Sequence, residues 1–359
     1  MKLTLRASTV LPGPAHGILL VGARVAVATG ERWFLRDATR LAAVAALPRG
    51  AGIAAADAAR MQAVVTTDSK AVRGVQRWRD ELWDLARGKR LATLAENHPD
   101  DNWGSVVFTA GGGLATRRRL RAGKGTDSLI RFDATGAVVD ETTLTGAPMV
   151  FRIAASPDGT IAAHAYFDGR GGLVAYTDGK PPRRRKLGGR ITGIGRDHDK
   201  GVSDLAFDAT GAYLLAMTHM GSRATVWSTA TGKVVAGAWT KLGLDDAFFV
   251  GDALCAVNAD TLRRAPLGGG AAGKPLKLAG HPGLAVPLGD DRHVVWCGAT
   301  ARSDDKALRV VEVWDLVRGV RVAALKHPAN LRGVWTLAAR PDLIALGAKD
   351  GRVTLIAVR

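Results

Sequence analysis

The sequence predicts an all-β chain built from repeated four-strand units, and three observations carry that prediction. Two distant segments are near copies, LWDLARGKRLATL at 82–94 and VWDLVRGVRVAAL at 313–325. Glycine-centred turns recur at an even spacing. Apolar residues alternate over short runs, and no helical pattern longer than about ten residues survives.

Each near copy reads as a hairpin: an alternating strand ending in Trp-Asp, a glycine turn, then a second strand. The shape decays through LIRFDATGAVVDETTL (129–144), LVAYTDGKPPRRRKL (173–187) and TVWSTATGKVVAGA (225–238). Weaker copies are WFLRDATRLAAVAAL (33–47) and LRRAPLGGGAAGKPLKL (262–278). The turn glycines are Gly88, Gly136, Gly179, Gly232, Gly273 and Gly319. The first and last are 231 residues apart in five steps, about 46 per unit, so 359 residues hold just under eight units. A second hairpin precedes each one, as in VFRIAASPDGTIAAHAYF (150–167), VSDLAFDATGAYLLAMTH (202–219) and VWTLAARPDLIALGA (334–348). In Ser156-Pro157-Asp158-Gly159, proline presets φ, aspartate bonds locally and glycine accepts positive φ. The alanine-rich stretch 50–65 falls at a strand position of the same register.

Composition excludes several classes. With 47% apolar and 23% charged residues, the chain is not largely disordered. No uncharged apolar run is long enough for a membrane-spanning helix. The apolar stretch HGILLVGARVAVATG is interrupted by Arg24 and lacks a signal-peptide layout, so the expected location is the cytoplasm. Cys255 and Cys297 are too few for a disulfide framework or a zinc cage and read as reduced core thiols. The formal charge of +17 comes from 50 Lys plus Arg against 33 Asp plus Glu. Such a balance suits an acidic partner. A GC-rich genome, which favours Ala, Gly and Arg over Lys, gives the same bias.

The histidines follow the repeat. His16, His98, His198, His281 and His327 each stand just before the first strand of a unit. With Trp83-Asp84, Trp314-Asp315, the Gly280-His281 opening and the Ser-Pro-Asp-Gly turn, the chain resembles the WD-repeat β-propeller family, in a degenerate form of bacterial type. Trp227 is followed by Ser228, and Asp350 takes the turn position ahead of Val353-Thr354-Leu355. The resemblance covers residues 1–359 and implies a single propeller of seven or eight blades, with the repeat count favouring eight. It also implies a buried His, Trp, Ser/Thr and Asp set per blade, of which most units in this chain lack a member. The last unit, 330–359, supplies only three strands. The alternating segment 2–7 is therefore expected to complete that blade and close the ring, which removes two exposed sheet edges.

No catalytic motif passes inspection. Gly123-Lys124-Gly125 lacks the following Ser or Thr and a helix, and Gly193-Ile194-Gly195 lacks a strand–turn–helix frame. There is no G-x-S-x-G, H-E-x-x-H or C-x-x-C pattern. The acid pairs Asp100-Asp101, Asp245-Asp246, Asp290-Asp291 and Asp304-Asp305 fall in turns or loops. The expectation is a non-enzyme with no cofactor and no metal.

What remains is surface. One basic loop is expected near 68–80, with Lys70, Arg73, Arg77, Trp78 and Arg79; the next unit carries Arg117, Arg118, Arg119, Arg121 and Lys124. On adjacent blades these residues would make a docking patch of about nine charges for acidic side chains or phosphate, with Trp78 as anchor. The opposing expectation is a merely solvated face. The run Pro181-Pro182-Arg183-Arg184-Arg185-Lys186 is expected on an outermost strand, where proline and charge blunt aggregation. Residues 188–200 read as a longer inter-blade loop and a further contact candidate. The family resemblance implies a scaffold that recruits proteins into a multi-protein assembly, regulatory or defensive in kind. Two alternatives stay open: a nucleic-acid-associated subunit, and a hydrolase or lyase with a site in the central channel.

Overall fold

The computed structural model describes the chain except for residues 30–31, 73–74, 122–123, 145–148, 167–169, 178–179, 189–201, 219–223, 236–245, 269–271, 280–282, 300–308 and 327–333. It is an eight-bladed all-antiparallel β-propeller. The ring-closing strand is β1 (Leu3–Val10). Blade 1 holds β2 (Ala15–Val21), β3 (Arg24–Thr29), β4 (Arg32–Asp37) and β5 (Ala43–Ala46). Blade 2 holds β6 (Gly52–Asp57), β7 (Gln62–Val72), β8 (Val75–Asp84) and β9 (Lys89–Asn97). Blade 3 holds β10 (Asp101–Thr109), β11 (Gly112–Arg121), β12 (Lys124–Asp133) and β13 (Val138–Leu144). Blade 4 holds β14 (Val150–Ala155), β15 (Ile161–Tyr166), β16 (Gly171–Thr177) and β17 (Lys180–Lys186).

Blade 5 shows β18 (Val202–Phe207), β19 (Tyr213–Thr218) and β20 (Ala224–Ser228), with a bridge from Trp227 to Val234 at the fourth position. Blade 6 holds β21 (Asp246–Val250), β22 (Ala253–Asn258), β23 (Thr261–Pro266) and the short β24 (Leu276–Lys277). Blade 7 holds β25 (Gly283–Pro287), β26 (His293–Ala299), β27 (Arg309–Asp315) and β28 (Val320–Lys326). Blade 8 holds β29 (Val334–Arg340), β30 (Leu343–Ala348) and β31 (Arg352–Val358), with β1 as its outer strand. The alanine-rich 50–65 is a strand pair, β6 turning into β7.

The core is divided. Eight apolar clusters occur among the described residues, one at each junction between neighbouring blades. Each inner sheet is therefore buried on both faces, and its strands read as continuous apolar runs. All six residues of β30, LIALGA, are buried. Small residues let the sheets approach, and large ones fill the wedge. Trp227 and Trp296 are fully buried. Their indole N–H groups donate across a blade junction, to Gly188 O at 2.8 Å and to Ala279 O at 2.7 Å.

Closure is a full ladder. β1 pairs with β31 from Leu3↔Val358 to Val10↔Arg352, with one irregularity between Leu5 and Ala7. Lys2 and Arg359 exchange backbone hydrogen bonds at 2.6 and 3.0 Å, and Leu11 N donates to Gly351 O at 2.9 Å.

The turn glycines serve packing as well as dihedral freedom. Gly88 has φ +63°, and a Cβ there would lie 2.7 Å from Ala45 Cβ on the outer strand of the preceding blade. A Cβ at Gly136 would lie 2.7 Å from Leu94 Cδ2 and one at Gly232 3.0 Å from Lys186 O, whereas at Gly319 only the positive φ favours glycine. Gly179 lies outside the described residues. In blade 1 the position is Leu41, also at positive φ, and its side chain is buried beside Leu11 at the ring closure.

Two outcomes follow. Thr4→Pro removes a ladder donor from the closing strand and lowers stability by about 3 kcal/mol in calorimetry. Gly88→Ala costs about 1–2 kcal/mol through the left-handed backbone and the Ala45 contact. Ala45→Gly restores the contact part of that loss, so the two changes couple in a double-mutant cycle.

Candidate docking face on blades 2 and 3

In every blade the turns between strands two and three lie on one face of the ring, its upper face. Strands two and three of blades 1 and 4–8 run five to seven residues. In blade 2 they run 11 and 10, and in blade 3 both run 10. The excess of three to six residues extends two adjacent hairpins about 10–20 Å further toward that face. The segment 68–80, expected as a loop, is thus an extended hairpin, and 117–124 is its neighbour. The longer strands arise because Thr66 to Val72 and Val75 to Asp80 continue the pairing past the junction core, with Asp68 opposite Trp78, Ser69 opposite Arg77 and one irregularity between Ser69 and Val72.

Side-chain alternation sorts these residues. On β8, Leu82 packs toward blade 3, and Trp78 and Asp80 share that side. Trp83 packs toward blade 1, and Arg77 and Arg79 share that side. On β11, Ala115 packs toward blade 2, as do Arg117 and Arg119 by parity, while Arg118 follows Leu114 toward blade 4. Half-buried Trp78 therefore stands on the side of its hairpin that faces the Arg117 and Arg119 side of the next.

Of the nine charges expected on these hairpins, four are paired with carboxylates. Arg117 grips Asp101 through two hydrogen bonds of 2.7 Å, and Arg119 binds Glu141 at 2.8 Å. Weaker cross-contacts, Arg117 to Glu141 at 3.6 Å and Arg119 to Asp101 at 3.8 Å, join the four into one network. Arg79 pairs with Glu96 at 3.0 Å, and Arg118 stands 3.7 Å from Asp127. Four guanidinia are thus matched by four carboxylates. The Arg117 hydrogen bonds hold the Asp101 carboxyl below the usual carboxylate range. Arg77 is half-buried and Lys124 exposed. Arg73 and the side chains of Lys70 and Arg121 lie outside the described residues, as does the loop 189–200.

Behind the hairpins two buried acids fasten the chain where it crosses between blades. Asp80 accepts from Thr66 Oγ1 at 2.6 Å and from Asn97 Nδ2 at 2.5 Å, while Asn97 Oδ1 accepts from Trp103 N at 2.7 Å. Asp127 accepts from Val150 N at 2.7 Å. Burial pushes both carboxyls above the ordinary range.

Among the described residues, the repeat Trp and Asp side chains take other partners than the buried set that the resemblance implies. Trp83 Nε1 donates to Glu81 Oε2 and Trp314 Nε1 to Glu312 Oε2, both at 3.0 Å. Arg90 and Arg321 close the same two carboxylates at 3.0 and 2.7 Å. Asp84 and Asp315 cap the next turn through two backbone N–H groups each, and Asp350 caps Arg352 N. His16 is exposed, and the His98 ring accepts from Asp100 N at 3.1 Å. His198, His281 and His327 lie outside the described residues. Sequence reasoning missed Glu81 and Glu312, although each stands immediately before its near copy, two residues ahead of the Trp.

The lower face offers a shallow cavity of about 480 Å³ at the channel mouth, lined by Phe108, Phe207, Pro157 and alanines of blades 2–4. Its Arg60 is consumed by Asp57 and by carbonyls of the blade 3 turn. No group of three His, Cys, Asp or Glu side chains that could hold a metal occurs among the described residues. Cys255 and Cys297 are buried. Burial pushes the Cys255 thiol up to about 12, and it drives the His164 imidazole down to about 4. Neither group is poised as nucleophile or base at neutral pH.

Comparison with known proteins places the chain by fold. No family model matches it, and no curated protein matches it in sequence. Among solved structures it is similar to Chaetomium thermophilum Sqt1 bound to the N-terminus of the ribosomal protein L10, at 15% identity and TM-score 0.61, covering 99% of both chains. It is also similar to the β-propeller domain of Myceliophteria thermophila Cps50 (Swd1), at 13% identity and TM-score 0.55, covering 99% of this chain and 100% of that one. A computationally designed protein, Ika8, aligns at 13% identity and TM-score 0.59 over 99% of each. These neighbours include WD40 β-propellers, and at such identity they establish the fold alone.

Acid and neutral conditions separate two carboxylates. The Arg292 hydrogen bonds, at 2.9 and 2.5 Å, hold Asp315 down at about 2. Its stabilisation is therefore present above the unfolded value near 3.8 and is lost as pH falls through about 2. Arg292→Gln removes that acid-sensitive part of the stability, read from urea midpoints between pH 5 and 2. Asp80 has the opposite sign: its raised value weakens the neutral-pH fold and relieves it on acidification. Asp80→Asn raises the pH 7 midpoint and flattens its pH dependence.

Proposed function

We propose that this propeller is a non-catalytic protein-interaction scaffold whose partner docks on the two raised hairpins of blades 2 and 3. The observation that carries the reading is their length, which among the described strands sets two adjacent blades apart on one face. Extended hairpins on a rigid ring present residues without moving them, as loops on a scaffold do in binding proteins. Trp78 is the anchor, and the Arg117–Asp101–Arg119–Glu141 network forms a pre-ordered polar border beside it. An aromatic anchor within a polar border is the anatomy of a protein-binding hot spot. Ion-paired arginines still offer donors, so a partner with acidic groups fits this border. Supporting the reading, the similar Sqt1 holds the N-terminus of a ribosomal protein. Buried reduced thiols suit a cytoplasmic setting.

The test is a tagged pull-down from native cells, with and without nuclease, comparing the parent with Trp78→Ala and with a lower-face control, Asp158→Ala. The reading expects a protein that persists after nuclease, is lost at least tenfold with Trp78→Ala and is kept by the control. Equal recovery by all three would move the docking site elsewhere.

A further inference from the structure

The two sides of the blade 2 hairpin carry different chemistry. Trp78 and Asp68, opposite each other in register, stand on the side toward blade 3. Arg77 and Arg79 stand on the side toward blade 1. There the hairpin forms a step. Strands two and three of blade 1 run six residues each, against 11 and 10 in blade 2. Beyond the junction core of Val65 and Trp83, the blade 2 hairpin therefore extends further toward the upper face than its neighbour does.

The guanidinia of the crown are matched wherever a neighbouring strand supplies an acid. Arg117 spends Nε and Nη2 on Asp101, at 2.7 Å each. Arg79 lies opposite Glu96 of β9 and pairs with it at 3.0 Å. Arg77 stands one step past that supply. The β8–β9 ladder reaches only to Trp78↔Asn97, so no residue of the outer strand lies opposite Arg77, and β7 places Ser69 there. Among the described residues Arg77 has no hydrogen-bond or ion-pair partner, and its Nε is buried without one. The residue as a whole is half-buried. A covered stem holds the guanidinium in place, so its Nη end binds with little loss of rotamer freedom. An anchored cation without a counter-charge is complemented by a carboxylate, which takes paired guanidinium donors in one plane. With Arg79 neutralised by Glu96, one described cation on this side is left uncompensated. That balance matches a single carboxylate better than a run of phosphates.

We propose that Arg77 pairs with an aspartate or glutamate side chain of the docked protein, and so sets the requirement for an acidic residue in the partner. The inference rests on the scaffold reading and names the chemistry of its partner. Consecutive strand residues point to opposite sides. At Arg77 the outer edge of β8 is no longer covered by β9, so a segment lying along that edge reaches Trp78 on one side and Arg77 on the other.

The experiment selects binders from a random dodecapeptide phage library on the immobilised full chain. Fluorescence anisotropy of the labelled peptides then gives their affinities for the parent, Arg77→Gln and Trp78→Ala. Expected is a set of peptides sharing one aspartate or glutamate. Changing that acid to its amide weakens binding at least tenfold, and Arg77→Gln does the same. The two changes together weaken it no further, because both delete one contact. An unchanged thermal midpoint shows that Arg77→Gln folds. Parental affinity for Arg77→Gln overturns the proposal, as do additive losses or binders without a shared acid. Tighter binding of a peptide with phosphoserine at the acid's position also overturns it and assigns Arg77 to a phosphopeptide. In each of these cases, loss of binding with Trp78→Ala leaves the scaffold reading standing. Parental affinity for Trp78→Ala, or the absence of any binder, overturns that reading and this inference with it.

Discussion

Everything in this molecule depends on the contact between β1 and β31. A propeller has no central core that could survive the loss of one element. Its apolar side chains are divided among eight wedges, each shared by two blades, and each wedge is complete only if both blades are in place. The pairing of Leu3–Val10 with Arg352–Val358 joins the two ends of the chain in one sheet and brings the eighth wedge together, where Leu11, Val25 and Leu41 meet Leu343 and Val353. Contacts between residues more than 300 positions apart in sequence thereby acquire the same stabilising geometry as contacts within a hairpin. Arginine adds a second, polar layer to the same joints: Arg340 of blade 8 donates to Gly22 O of blade 1, and Arg60 of blade 2 reaches the blade 3 turn. Part of the unusual arginine content is therefore structural, a set of long donors satisfying turn carbonyls that face a neighbouring blade.

A closed ring makes a good platform because its faces differ by construction. Turns between the first and second strands stay short and abut those of the next blade, so the lower face is tightly constrained. In blades 2 and 3 the second and third strands lengthen toward the upper face, beyond the apolar junction between the two blades. The buried Asp80–Asn97–Trp103 chain and the Asp127–Val150 bond then fix where the polypeptide leaves one raised hairpin and enters the next blade. The hairpins are held at their bases by hydrogen bonds that can form only inside the ring.

The architecture was readable in the sequence because it repeats. Turn glycines at a constant interval, two near copies of one hairpin and an unmatched alternating strand at the start favour eight blades over seven and point to the closure. The chemistry of the hairpin face was not readable, and the reason is pairing. Arg117 and Asp101 are 16 residues apart and meet only once β10 and β11 are in register, with Arg119 opposite Asp101 and Arg117 opposite Trp103. A count of arginines along the chain cannot see the carboxylate on the neighbouring strand. By contrast β17 keeps its sequence-level character, since an outermost strand has no further strand beside it to supply acids. Glu81 and Glu312 lie between these cases. They repeat in sequence, yet their role follows only from seeing an indole and a guanidinium converge on one buried carboxylate.

The most direct measurement of the central dependence is native-state hydrogen exchange of the intact chain, resolved by peptide. If closure through β1 stabilises the whole ring, the amides of β1 and β31 exchange as slowly as those of interior strands such as β22 and β30, and all respond together to added denaturant. If β1 exchanges rapidly like a frayed terminus while the interior strands stay protected, the ring holds without its clasp, and the other blades do not depend on closure.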